Sequence, residues 1–334
     1  MNIKEKISND IKIPISFLNE AISNAHKHIK KFHIPKRKGG YRIICQPSAK
    51  LKTIQYWVIR NICNYLPVDK AAYAYRDGVS ILDNAFFHTS NKYFLKVDLK
   101  DFFPSISFDD FIEIVRDWYK KNQPIWELDR NSENILKKVC FDEKGFLPIG
   151  YPSSPSISNA VMYPVDLSIK KEIQEGKYGK FLYTRYADDL IFSTNKKGVC
   201  SEFYKKLCRI INNTRSPKIE INKEKTKICS STAGSAIVTG LRIANDGHIT
   251  IHKKQKDHIR LLLSLYKKGI LKNDDYYSYK KGNVKTNNYF SLLGYLVYVR
   301  HVDPAFYSKI QHKYFKEIDS IRKISANRFE RKED

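Results

Sequence analysis

The chain has 334 residues, a formal net charge of +25 and 42% hydrophobic residues, of which the aromatics are 13% of the chain. That much apolar side chain excludes a disordered polypeptide, and no apolar run approaches the ~20 residues of a membrane span. Residues 1–10 mix Lys, Glu, Asn and Asp without the apolar centre of a signal peptide, so a cytoplasmic protein with no membrane partner is expected.

In chain order, Leu51–Leu66 is the first segment with clear helical spacing, placing Ile54, Trp57, Val58 and Ile62 on one face. Tyr93–Val97 reads as a strand and Ser154–Ile173 as a helix opened by Ser and Pro. Phe181–Tyr186 and Leu190–Ser193 are strand-like, and Val199–Ile211 returns to helical spacing with Phe203, Leu207 and Ile210. Lys218–Ile221, Ala236–Ile243 and His248–Ile251 follow as strands. Lys280–Asn288 is the best exposed loop, and Phe290–Val302 and Ala305–Ile321 are helices divided by Pro304. Helices and strands mix without regular βαβ alternation, which predicts an α+β fold. The six cysteines lack Cys-x-x-Cys spacing and the histidines lack metal spacing, so neither a disulfide framework nor a zinc site is expected.

The charge is uneven. Between Ala21 and Val68 there is no acidic residue and ten Lys or Arg, including Lys38, Arg42, Lys52 and Arg60. A second basic zone, Lys253 to Lys285, holds ten Lys or Arg against three Asp, with Tyr266, Tyr276, Tyr277 and Tyr279 interleaved. Cations alternating with aromatic platforms suit a phosphate backbone and unpaired bases. A lipid surface suits them less, because no strongly amphipathic helix accompanies the charge.

Within this basic chain, two apolar strand-like runs flank Tyr186-Ala-Asp-Asp189, which reads as a hairpin with adjacent carboxylates at its turn. The strand from Tyr93 ends on Asp98. Asp-Asp at a turn is also ordinary turn chemistry. A second strand ending in Asp favours convergence of Asp98, Asp188 and Asp189 into an anionic pocket suited to divalent cations and two-metal displacement.

At these residues the sequence resembles a reverse transcriptase. Tyr186-Ala-Asp-Asp189 is similar to that family's active-site hairpin, and Asp98 with Phe102 and Phe103 to its first catalytic strand. Leu147-Pro-Ile-Gly-Tyr-Pro-Ser-Ser-Pro155, Asn222-Lys-Glu-Lys-Thr226 and Lys38-Gly-Gly-Tyr-Arg-Ile-Ile44 resemble three further motifs in the family's order. Asn84-Ala-Phe-Phe-His88 and Val238-Thr-Gly240 match patterns of the retron subfamily, and the chain length without an RNase H or endonuclease region fits it.

The resemblance implies a right-hand polymerase architecture: an N-terminal region and fingers over 1–91, a palm over 92–244 carrying an inserted fingers part at about 105–150, and an RNA-binding thumb over 245–334. It implies two Mg²⁺ ions, with Mn²⁺ as a substitute, held by Asp98, Asp188 and Asp189 with the carbonyl of Leu99. Lys38 and Arg42 would clamp a deoxynucleoside triphosphate and Lys225 would lie near the leaving pyrophosphate. Gly150 would admit the nucleotide's close approach, and Phe103 would exclude a 2′-hydroxyl or else pack in the core. Asn84 and His88 would either contact RNA or brace the fold, and Lys253, Lys254, Arg260 and Tyr276 would grip RNA. The implied partners are a cognate non-coding RNA serving as primer and template, its DNA product and an effector protein encoded nearby, in phage defence. Another bacterial reverse transcriptase, an intron enzyme or a catalytically inactive RNA-binding scaffold are the alternatives. Ile149 departs from the Gln usual in the family and cannot donate its hydrogen bond.

Overall fold

Residues 1–36, 39–233, 236–271 and 289–330 are described by a computed structural model. Lys38, Tyr276 and the Lys280–Asn288 loop lie outside the described residues. Contacts divide the chain into one unit of Met1–Ser80 with Tyr93–Ile228, and a second of Ile81–Lys92 with Cys229–Asp334.

In chain order, Asn2 and Glu5 form a capping box that starts α1 (Ile3–Ile11), and α2 (Ile15–Ser23) follows. Strands β1 (Ile29–Pro35) and β2 (Tyr41–Pro47) pair antiparallel as a largely exposed ribbon, with Ile34 opposite Arg42. The Ser48 side chain caps α3 (Ala49–Asn61), which buries Leu51, Ile54, Trp57 and Val58 along the face read from sequence. A single 3₁₀ turn at Cys63–Tyr65 ends that helical stretch. Next, α4 (Ile81–Phe87) opens the second unit's first segment.

The first unit resumes with β3 (Tyr93–Leu99), then α5 (Phe108–Asn122), α6 (Arg130–Cys140), α7 (Ser153–Val161) and α8 (Tyr163–Glu175). The single helix expected over Ser154–Ile173 is therefore two. Pro164 lacks an N–H and its ring crowds the carbonyl four residues back, so the helix restarts at Tyr163. Strands β4 (Phe181–Tyr186) and β5 (Asp189–Thr194), helix α9 (Val199–Asn213) and strand β6 (Ile221–Ser230) complete the unit in the order β4-β5-β3-β6. The strand predicted over Lys218–Ile221 begins only at Ile221. It continues through polar Asn222–Lys227, which suits an edge strand and hides it from a search for apolar runs. Beneath the β4/β5 hairpin, the Phe192 ring lies 4.8 Å from Tyr183 and 4.9 Å from Phe203, fixing sheet to α9.

In the second unit, Ala236–Ile243 is a hairpin rather than one strand: β7 (Ile237–Val238) turns through Thr239 and Gly240 into β8 (Leu241–Ile243). Both turn residues have positive φ, +45° and +84°, the backbone that a two-residue hairpin demands and Gly supplies without strain. Strand β9 (Ile249–Thr250) joins as the third. The Thr239 hydroxyl donates to the Ile81 carbonyl at 3.1 Å, so the Val-Thr-Gly turn and the helix carrying Asn84 are fastened to each other. Helices α10 (Lys253–Lys267), α11 (Tyr289–Val302), α12 (Pro304–Lys313) and α13 (Phe315–Glu330) follow, the last expected helix breaking at Tyr314. No helix among the described residues is long and apolar enough to cross a membrane.

Candidate active site

Three strands bring the carboxylates together. Strand β3 runs between β5 and β6, and its register sets Asp98 directly opposite Asp189. Opposed residues of an antiparallel pair project to the same face with Cβ atoms about 5 Å apart, where like charges repel. Tyr186 pairs with Asp189 across the hairpin, leaving Ala187 and Asp188 as a two-residue turn with Ala187 at φ +55°. The Leu99 N–H donates to the Asp188 carbonyl at 2.9 Å, binding the turn to the end of β3.

Two lysines answer the repulsion. Lys225 on β6 places its Nζ 2.9 Å from each oxygen of Asp98. Lys96, two residues before Asp98 and so on the same strand face, sits 2.9 Å from Asp189. Asp188 has no such ammonium among the described residues. Burial, then the charges of Asp189 and Asp98, raise its carboxyl above the ordinary range, and Lys225 offsets only part of this.

As arranged, the carboxylates are within electrostatic reach of one another, but no three acidic, imidazole or thiol groups among the described residues are gathered at ligand spacing. Asp98 and Asp189 instead face their lysines. The donor chemistry still fits a hard divalent cation, since all three side chains offer oxygen.

A cavity of about 350 Å³ is lined by residues including Lys52, Tyr56, Tyr75, Phe103, Gly150 and Tyr151, of which Tyr75 lies within electrostatic reach of Asp188. Neighbouring phenylalanines take different fates. Phe102 is buried in the core, whereas Phe103, 5.4 Å away ring to ring, is only partly buried and faces this cavity. Gly150 has φ +107°, and a Cβ there would stand 2.7 Å from the Cys45 carbonyl oxygen and 3.0 Å from Ile44 Cγ2. The glycine thus permits a close approach to β2. Cys45 N–H donates to the Ile149 carbonyl at 2.8 Å, so Ile149 anchors the ribbon through its main chain. Arg42 is exposed on that ribbon and has no carboxylate partner among the described residues.

The remaining candidates lie in the second unit. Asn84 on α4 and His88 in the turn that follows it are both fully buried, so contact with RNA would require the unit to open around them. Neither polar atom of the Asn84 side chain has a hydrogen-bond partner among the described residues, and burial lowers the His88 pKa to about 3, keeping it neutral. Lys253 and Lys254 are exposed in the first turn of α10. Arg260 is engaged by Asp257 at 2.8 Å and by the Phe306 ring at 5.0 Å.

Sequence reasoning missed Lys96, although its period-two spacing from Asp98 was there to find. It also missed Arg185, which is fully buried on β4 and carries the hairpin from below. Its guanidinium pairs with Asp166 at 2.8 Å and donates to Asn159 at 3.0 Å, while Tyr183 donates to the same Asp166 at 2.6 Å.

Residues 34–291 match the sequence profile of the family described as reverse transcriptase (RNA-dependent DNA polymerase). The chain is 41% identical over 300 residues to the retron Ec73 reverse transcriptase of Escherichia coli, covering 88% of this chain and 90% of that protein. It is 34% identical over 306 residues to the retron Ec83 reverse transcriptase of Escherichia coli, covering 89% and 91%. Among solved structures, an apo telomerase from Candida tropicalis superposes with a TM-score of 0.51 at 16% identity, over 71% of this chain and 51% of that one. This last likeness is one of fold alone, the α+β right-hand polymerase fold.

Proposed function

We propose, for a chain that belongs to the retron reverse transcriptases and is an RNA-directed DNA polymerase, that it copies part of a cognate non-coding RNA and starts from the 2′-hydroxyl of a guanosine in that RNA. The product is then a branched, RNA-linked single-stranded DNA, and the division of labour is that of fingers, palm and thumb over 1–91, 92–244 and 245–334. An RNA partner and deoxynucleoside triphosphates follow from the family's activity, and so does dependence on a divalent metal.

The observation that carries the catalytic reading is the register of β3 against β5, which sets Asp98 opposite Asp189 beside the Asp188 turn. Asp98, Asp188 and Asp189, with the Leu99 carbonyl, would hold two Mg²⁺ or Mn²⁺ ions. Such ions supply Lewis-acid activation of an attacking hydroxyl and neutralisation of a leaving pyrophosphate. The hydroxyl oxygen bonds to the α-phosphorus of the nucleotide as the bond to pyrophosphate breaks. Arg42, exposed and with no carboxylate partner among the described residues, grips the triphosphate as a guanidinium fork, and Lys38 assists. Lys225, already at the edge of the carboxylate cluster, offsets charge on the leaving group. Phe103 faces the cavity and excludes a ribose 2′-hydroxyl there. Lys253, Lys254, Arg260 and Tyr276 contact the RNA, and the unit built around Asn84 and His88 presents that surface. A nearby effector protein couples synthesis to phage defence.

Expression of the gene with its native upstream region, followed by extraction of small nucleic acids and treatment with RNase and a debranching enzyme, tests the reading. A discrete single-stranded DNA that vanishes in Asp188→Asn and shifts on debranching is expected. An unbranched product would place the chain with other bacterial reverse transcriptases. Absence of synthesis on a supplied primer–template would leave an RNA-binding scaffold.

A further inference from the structure

Tyr75 is the one aromatic residue among those described whose backbone is left-handed, at φ +59°. In that region an L side chain crowds its own following carbonyl, and a bulky residue there is a genuine outlier. The surrounding structure imposes it from both sides. The Ala74 carbonyl accepts from the Asn159 side chain at 2.8 Å, and Asn159 in turn accepts from Arg185 at 3.0 Å. Tyr73 N–H donates to the Arg185 carbonyl at 2.7 Å, and Arg185 N–H donates to the Ala71 carbonyl at 2.6 Å. The Arg76 guanidinium donates to the Ala72 carbonyl at 2.9 Å. The loop is thereby locked to β4, the strand that leads into Asp188.

Core burial does not account for this strain, because the Tyr75 side chain remains 48% exposed. What the conformation achieves is placement. The Tyr75 ring stands 6.3 Å from that of Phe103, tilted by 48°, and both line the same cavity. On its other side Phe103 meets Phe102 at 5.4 Å, and Phe102 is fixed in the core. Phe103 is therefore held between an immobile core ring and a ring carried on a strained, over-determined loop. Strain kept where it serves no packing is a marker of function.

We propose that Tyr75 is a positioning residue for sugar discrimination: it confines the Phe103 ring to the place where that ring excludes a ribose 2′-hydroxyl. The inference rests on the reading of Phe103 under Proposed function. Steric exclusion depends on stiffness, since a wall that yields by about 1 Å admits the extra oxygen and misplaces the reacting groups. Without the Tyr75 ring, Phe103 has open cavity on that side into which to swing.

Single-nucleotide incorporation on a supplied RNA template and DNA primer tests this, with kcat and KM measured for dNTP and matching rNTP. Tyr75→Ala is expected to lower the dNTP-over-rNTP preference by about tenfold, within the span a hydrophobic pocket can exert on one hydroxyl. Tyr75→Phe should restore the preference. Tyr75→Gly, which removes the ring and relieves the backbone, should behave like the alanine variant and guards against failure to fold. Joined to Phe103→Ala, Tyr75→Ala should lower the preference no further than Phe103→Ala alone, because both act through one ring. If Phe103→Ala lowers the preference and Tyr75→Ala and Tyr75→Gly do not, the positioning role is wrong and the role of Phe103 stands. If Phe103→Ala leaves the preference unchanged, the reading of Phe103 fails and this inference falls with it. Fully additive losses would mean that Tyr75 acts on the nucleotide independently, which also overturns the proposal.

Discussion

Gly150→Ala probes the joint between the β1/β2 ribbon and the cavity lined by Tyr75 and Phe103. At φ +107° the alanine occupies a backbone region that belongs almost wholly to glycine, at a cost of about 1–3 kcal/mol. Its Cβ would also stand 2.7 Å from the Cys45 carbonyl oxygen, and the obstacle is main chain, which cannot rotate aside as a flexible side chain would. Relief requires β2 to move away, breaking the 2.8 Å hydrogen bond from Cys45 N–H to the Ile149 carbonyl, worth about 1 kcal/mol. Together these oppose docking of the ribbon by about 2–4 kcal/mol. Because the ribbon is largely exposed, the loss should be local: the melting temperature falls little, while amide exchange at Cys45 accelerates. Arg42 rides on the same strand, so about 2 kcal/mol of lost docking corresponds to a roughly 30-fold rise in KM for dNTP. Wild-type exchange at Cys45 together with an unchanged KM would refute the assignment of Gly150 to ribbon docking and with it the placement of Arg42.

Asp188→Asn should abolish DNA synthesis while leaving RNA affinity within about twofold, as measured by filter binding, since the basic surface is untouched. The same variant should be more stable than wild type in metal-free buffer at neutral pH. A carboxyl raised in the native state keeps its proton where the unfolded chain has lost it, so its contribution falls as pH climbs through and above the ordinary carboxylate range, and denaturant melts at two pH values would show the difference. Arg185→Met leaves Asp166 buried and unpaired and should cost about 3–5 kcal/mol in denaturant unfolding; a loss below about 1 kcal/mol would contradict that pair's isolation from water. Native His88, with its pKa lowered to about 3 by burial, refuses a proton that the unfolded chain accepts below about pH 6.5. Stability should therefore drop by up to about 1.4 kcal/mol per pH unit across that window, and a His88→Gln variant should lose the slope.

Elements dominated by apolar periodicity were legible in the sequence. The buried face of α3 and the strands β3, β4 and β5 lie where the pattern of Ile, Leu, Val and Phe placed them. What escaped was structure written in polar residues. Strand β6 is an edge strand of Asn, Lys, Glu and Thr, so nothing in its hydropathy marks it, and Lys225 was legible only through resemblance. The Thr239–Gly240 turn was read through as strand because Val238 and Leu241 flank it closely, although Gly at a hairpin's second turn position is the available clue. Tyr75 could not be found at all, since its importance lies in a backbone angle imposed by Asn159 and Arg185 from distant parts of the chain.

The charge pattern that dominates the composition has its counterpart at the centre of the sheet. A chain of net charge +25 can assemble three carboxylates because neighbouring strands deliver lysines to them: Lys96 comes from the same face of β3, and Lys225 from 127 residues away on β6. The two ammonium groups face Asp98 and Asp189, and Asp188 at the hairpin turn is the member whose carboxyl is raised, by burial first and then by the charges of Asp189 and Asp98. The sheet thus holds Asp98 and Asp189 in a compensated state while Asp188 alone has no ammonium partner among the described residues. Register creates that asymmetry: a slip of β5 by one residue would turn Asp189 to the opposite face, away from Asp98 and Lys96, and dissolve the cluster without changing a single residue.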